Sequence, residues 1–147
     1  MIETYRLDQT ELPILPCPHD CVIKKIAFDD FYITFVFEEH ISLHESIQHI
    51  RPQSDSLIVR YHLIAPDFLT YRAIRHATRL GKRFGNEGYH LVDNRELKES
   101  VKFRLEYLGQ RIDFKTILVE LCREDCGSIL VDAAVDYVEY EWIDRVE

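Results

Sequence analysis

From Cys21 to Glu38 the chain reads Cys-Val-Ile-Lys-Lys-Ile-Ala-Phe28, Asp29-Asp30, Phe31-Tyr-Ile-Thr-Phe-Val-Phe-Glu38, and this stretch decides the fold class. In its second half Phe31, Ile33, Phe35 and Phe37 fall on one face of an extended chain, and Tyr32, Thr34, Val36 and Glu38 on the other. A period of two marks a strand with one buried face. Two apolar runs split by a pair of short polar residues predict a hairpin.

The same texture recurs outward from that hairpin. Strands are expected over Leu57–Ile64, Phe68–Thr78, Phe103–Leu108, Asp113–Cys122 and Ile129–Trp142, with a short strand or arm near the N-terminus. Residues 39 to 55 read as a polar, His-rich loop with at most one helical turn. Asp93, three residues before Glu96, is a capping pattern that predicts a short helix over 94 to 101. Ahead of the hairpin, Leu12-Pro-Ile-Leu-Pro-Cys-Pro18 has too many prolines for helix and favours extended backbone. The expected fold is β-rich α+β: an antiparallel sheet, packed as a sandwich or roll, with one or two short helices. No linker divides the chain, so 1–147 is expected to be a single domain of ordinary size.

Composition narrows the function classes. Twenty-six acidic against eighteen basic side chains give a formal net charge of -8. Such a chain is repelled by phosphate backbones, so nucleic acid is not an expected partner, whereas a basic protein is. The N-terminus lacks a basic segment followed by an apolar stretch, and no run is long enough to span a bilayer. A cytoplasmic protein without a membrane partner is expected, with reduced cysteines.

Four cysteines form two equally spaced pairs, Cys17–Cys21 and Cys122–Cys126. If the first pair is extended, its Cα atoms lie roughly 13 Å apart, beyond the ~7 Å a disulfide tolerates. Two sulfurs on one zinc sit only about 4 Å apart, and the usual zinc knuckle has two residues between its cysteines. The second pair flanks Arg-Glu-Asp before Gly127, which predicts a three-residue hairpin loop with a glycine bulge and the two thiols facing across it. A zinc site from Cys17, His19, Cys21, Cys122 and Cys126 remains an alternative if folding joins the pairs. Free packed thiols are the plainer reading, and no cofactor is expected.

Other patterns are weighed the same way. His19-Asp20 is a base or ligand steered by a carboxylate, or else a conformational lock at the hairpin entrance. His40 and His44 would share a face on a helix, but Glu45 stands on the wrong side for a metalloprotease motif. Arg72, Arg75 and Arg79 gather with Lys82 and Arg83 into the one basic cluster, a seat for an anion or acidic partner. The spacing of Gly81, Gly85 and Gly88 matches no phosphate loop. Near the C-terminus Glu139, Tyr140, Glu141 and Trp142 suggest an acidic face with aromatic anchors. No catalytic motif is readable, so the expected function is a non-catalytic protein-binding module acting through an acidic surface. A hydrolase or small-molecule binder would require a pocket of convergent polar groups.

The run from Pro18 to Phe35, with Tyr140-Glu-Trp142, resembles a group of small bacterial proteins whose His-Asp motif opens a strand hairpin. Some of these are suspected immunity proteins, which bind and silence toxins from neighbouring cells. The resemblance implies a mostly-β domain without known catalysis and marks His19 and Asp20 as family-like.

Overall fold

The computed structural model describes residues 1–65, 70–75, 89–125 and 127–146, with 70–75, 89 and 90 by backbone alone. Among them are nine strands: β1 (Ile2–Arg6), β2 (Val22–Phe28), β3 (Tyr32–Phe37), β4 (Ser54–Leu63), β5 (Thr70–Arg75), β6 (Tyr89–Leu91), β7 (Leu105–Asp113), β8 (Thr116–Arg123) and β9 (Gly127–Asp144). Every pairing is antiparallel. The order runs β4-β3-β2-β7-β8-β9, and β9 also pairs with β4, so six strands close a ring and the sheet is a roll.

The closure is the work of β9. Its first half pairs with β8 and β5, and its second half with β4 and β1. One 18-residue strand therefore serves two sets of neighbours along its length. The change occurs at Asp136, where Val135 faces Leu63 and Tyr137 faces His62, leaving Asp136 as an extra residue. Such a bulge bends a strand and sharpens its twist, which a closed sheet needs.

Alternation then fills the interior. Ile129, Val131, Ala133 and Val135, followed past the bulge by Val138, Tyr140 and Trp142, are buried on β9, and Phe35, Phe37, Leu57, Val59, Tyr61, Leu105 and Tyr107 meet them. Tyr61, Tyr107 and Tyr140 carry hydroxyls into this core, where each needs a partner. Tyr61 and Tyr107 share a hydrogen bond of 3.3 Å, Tyr107 donates to Gln110 Oε1, and Tyr140 donates to the Pro16 carbonyl at 2.8 Å. Burial raises the pKa of all three phenols above the ordinary tyrosine value.

The expected helix is present as α2 (Asn94–Glu99), continued by a 3₁₀ turn over Ser100–Phe103. Asp93 caps it by accepting from Glu96 N at 2.7 Å. Residues 39 to 55 hold a 3₁₀ turn (Ile41–Leu43) and the four-residue α1 (Glu45–Gln48). At the β2–β3 connection Asp29 Oδ1 accepts from the backbone of Phe31 and Tyr32, which compensates for the lack of a glycine. Phe31 belongs to this turn and is exposed, unlike its expected face-mates Ile33, Phe35 and Phe37. The Phe68–Thr78 strand is seen as β5 over 70–75, and its flanks lie outside the described residues.

Candidate functional site

β1 hydrogen-bonds to β9 through its odd-numbered positions. The Met1 N-terminus donates to the Trp142 carbonyl at 2.9 Å, Trp142 N donates to the Met1 carbonyl at 2.8 Å, and Leu7 N donates to the Asp136 carbonyl at 2.7 Å. In an antiparallel pair the intervening residues Ile2, Thr4 and Arg6 turn their N–H and C=O groups the other way. No strand among the described residues pairs with that second edge.

Instead, the Pro-rich segment returns beside it without ladder hydrogen bonds. Pro13 and Pro16 have no N–H to offer. Gln110 on β7 fixes this segment by donating from Nε2 to the carbonyls of Leu15 at 3.3 Å and Pro16 at 3.1 Å. Two adjoining clefts result, and Tyr5 lines both. One, of about 480 Å³, lies between Thr4, Tyr5 and Arg6 and residues Gln9, Glu11, Leu12 and Pro13. The other, of about 440 Å³, is walled by Tyr5, Trp142, Ile14, Ile50 and the Glu3–Arg51 pair.

The second cleft is chemically the richer. Glu3 pairs with Arg51 through one carboxylate oxygen and through the other accepts from Tyr5 OH at 2.9 Å and Trp142 Nε1 at 3.1 Å. The Arg51 guanidinium lies 5.7 Å from the Trp142 ring centroid. Ile14 and Ile50 stand at its rim, 94% and 48% exposed. A fixed polar floor with exposed apolar walls suits a partner that brings its own apolar side chain.

The Glu139–Trp142 group divides between two faces. Tyr140 and Trp142 are 0% and 2% exposed and point inward, so they are not anchors on an acidic surface; strand alternation leaves Glu139 and Glu141 outside. Glu141 pairs with Arg60 at 2.7 Å. Glu120 and Asp132 lie on this same outer side of β8 and β9 and are exposed. The acidic surface is therefore carried by carboxylates alone, and Trp142 contributes to the cleft behind it. Arg72 and Arg75 fall on β5, described by backbone only, and Arg79 lies outside the described residues, as do Lys82, Arg83 and Gly81, Gly85 and Gly88.

The first cysteine pair is not extended. Cys21 N donates to the Pro18 carbonyl at 3.1 Å and Asp20 takes a φ of 67°, so the chain turns tightly between the two thiols. Burial pushes Cys21 up to about 12 and raises Cys17 as well. Cys122 sits outside on β8, opposite Glu106 and Ser128, and burial followed by the nearby Glu106 and Glu120 raises its thiol. Register places Arg123, not Cys122, opposite Gly127, so Cys122 faces Ser128 across the hairpin. Cys126 lies outside the described residues. Among the described residues no three His, Cys, Asp or Glu side chains are grouped to hold a metal ion.

His19 Nδ1 pairs with Asp20 at 2.9 Å on the surface, beside a third cleft, of about 470 Å³, that His44 and His49 also line. The expected lock, an Asp20 carboxylate on nearby backbone N–H groups with His19 packed over the hairpin, is not what is seen. The carboxylate takes the exposed His19 ring, and the segment is held by Asp20 N donating to the Tyr107 carbonyl and Ser46 Oγ to the His19 carbonyl. His40 adopts left-handed backbone and pairs with Asp55 at 2.8 Å, so it shares no helical face with His44.

Sequence reasoning missed Glu3, Tyr5 and Arg51. The only local signal was the alternation Ile2-Glu3-Thr4-Tyr5-Arg6. It also missed His62, whose Nδ1 lies 2.6 Å from Asp136 at the bulge, with its ring stacked on Tyr137 at 4.5 Å. No known protein family, curated protein or solved structure matches the chain. No helix among the described residues is long and apolar enough to cross a membrane.

Proposed function

We propose that the chain is a cytoplasmic, non-catalytic protein-binding module for a basic partner, of the immunity type that its His-Asp hairpin resembles. The observation that carries this reading is the groove beside β1, where exposed Ile14 and Ile50 flank a cleft walled by Tyr5, Arg51 and Trp142. Trp, Tyr and Arg around a water-excluding apolar rim is the composition of interface hot spots. The net charge of -8 and the exposed Glu120 and Asp132 support a partner of opposite sign, attracted before it docks.

Native mass spectrometry of the protein captured from its own source cells identifies such a partner, which is then purified and titrated. Ile50→Asp should weaken that complex at least about tenfold. Adding salt should slow association while leaving dissociation nearly unchanged. A complex indifferent to both Ile50→Asp and salt would refute the reading.

A further inference from the structure

The chemistry of β1's second edge specifies what the groove accepts. Over Ile2–Arg6 the edge is about 17 Å long at the usual strand rise. Along it the backbone groups of Ile2, Thr4 and Arg6 recur every second residue, and none makes a backbone hydrogen bond outside the β1–β9 ladder among the described residues. Water can satisfy these groups. A surface with the same spacing of donors and acceptors, which is another extended chain, satisfies them while excluding water. Natural proteins usually blunt such an edge. Here the neighbouring segment stands beside it and leaves the two clefts open.

We infer that a basic, extended peptide segment of the partner adds to the sheet as a strand along the free edge of β1. The inference rests on the protein-binding reading and assigns its mode. Side chains of an added strand alternate between two sides. On one side they enter the clefts, against Tyr5, Trp142, Ile14 and Ile50, and are apolar. On the other they stand beside Thr4, where Arg6 is already paired with Asp8 at 2.6 Å and Glu139 lies one strand further on β9, and are cationic. Glu11, which lines the cleft beside Thr4 and Arg6, and the net charge of -8 favour the same sign. The segment is therefore one in which apolar residues alternate with lysine or arginine.

The full-length chain is titrated with the heptapeptide KVKFKVK, with its analogue methylated on alternate backbone nitrogens, and with EVEFEVE. The chain's single tryptophan, Trp142, lines the cleft and reports binding by fluorescence. KVKFKVK should bind, and backbone methylation should weaken it at least about tenfold, because side chains and charge are unchanged while ladder donors are lost. Thr4→Pro should have the same effect. It deletes one N–H on the free edge and leaves the β1–β9 ladder intact, while Thr4→Val retains binding. Melting curves confirm that each variant is folded, and the methylated peptide keeps the test decisive if Thr4→Pro is not.

Binding of KVKFKVK that ignores both methylation and Thr4→Pro would overturn strand addition while leaving the basic-partner reading standing. Equal, methylation-sensitive binding of EVEFEVE would uphold strand addition and overturn the basic partner. No binding of any peptide at about 1 mM, the weak end of specific association, would overturn the inference. So would a dimer of the chain that Thr4→Pro dissociates, since the occupant would then be a second copy.

Discussion

Gln110 and Tyr140 share one hydrogen-bonded cluster, yet their removal should cost different amounts. Tyr140→Phe deletes the 2.8 Å bond to the Pro16 carbonyl and a long contact of 3.4 Å to Gln110 Oε1. Neither acceptor is orphaned, because Pro16 keeps Gln110 Nε2 at 3.1 Å and Gln110 Oε1 keeps the Tyr107 hydroxyl. The cost should be that of one ordinary hydrogen bond, about 1 kcal/mol. Gln110→Leu removes the acceptor of Tyr107 and the side-chain donor to both Leu15 and Pro16. Among the described residues only Pro16 and Tyr107 have a second partner, so the Leu15 carbonyl is left behind and the cost should reach about 2–4 kcal/mol. For a chain of this length each kcal/mol lowers Tm by about 3 °C. Urea and thermal unfolding of both single variants and the double variant measure this directly. The double variant should exceed the sum, since the Pro16 carbonyl keeps one donor in each single variant and loses both together. Equal costs for the two single variants would refute the bridging role of Gln110, as would Gln110→Leu costing less than about 0.5 kcal/mol.

The remaining expectations follow from single positions. Asp93→Ala should cost about 1 kcal/mol by uncapping α2, and Asp93→Asn should restore most of it; an unchanged urea midpoint for Asp93→Ala would contradict the cap. Gly127 has a φ of 99° at the β8–β9 turn, so Gly127→Ala should destabilise by about 1 kcal/mol or more. At Gly109 no atom lies within 4 Å of an added Cβ. Gly109→Ala should therefore be neutral or stabilise by up to about 1 kcal/mol, and the opposite ranking in melting would defeat the argument. Stability should also fall as pH rises above 9. The Cys21 thiol, ordinarily at 9.0, is pushed up to about 12, and the three buried phenols are raised as well. The unfolded chain releases these protons first, so the stabilisation is complete below pH 9 and is lost as pH climbs through about 12. Urea midpoints at about pH 7.5 and 10.5 should differ in that direction, and an unchanged or higher alkaline midpoint would refute it.

What the sequence made legible is whatever depends on period and local chemistry. The inward set of β9 was written in Val138, Tyr140 and Trp142, and the cap of α2 in Asp93 and Glu96. The same period should have separated Trp142 from Glu141, because adjacent strand residues face opposite ways. The acidic-aromatic face joined residues that alternation keeps apart. The Cys17–Cys21 turn was hidden for a different reason. Pro16 and Pro18 argue for extended backbone in the sequence, but the reversal falls at Asp20, and a left-handed aspartate leaves only a weak mark in sequence.

The groove was illegible because its parts meet only through the closure of the ring. Glu3 and Trp142 are far apart in the chain and meet because β1 pairs with the second half of β9, whose first half is already occupied by β8. That division is set by the bulge at Asp136, a single extra residue between Val135 and Tyr137. Arg51 arrives from the turn ahead of β4, which is on the opposite edge of the same β9 segment. One strand end thus has a neighbour on each side, and the side chains those neighbours carry converge on its last inward residue, Trp142. A shift of β1 by one residue would exchange the inward and outward positions of Glu3 and Tyr5 with those of Ile2, Thr4 and Arg6. The carboxylate under Arg51 would then be lost, along with the orientation of the free backbone groups. The cleft and the open edge are accordingly one consequence of register, and Tyr140 fixes that register from within, since its hydroxyl holds Pro16 while its backbone pairs with Glu3.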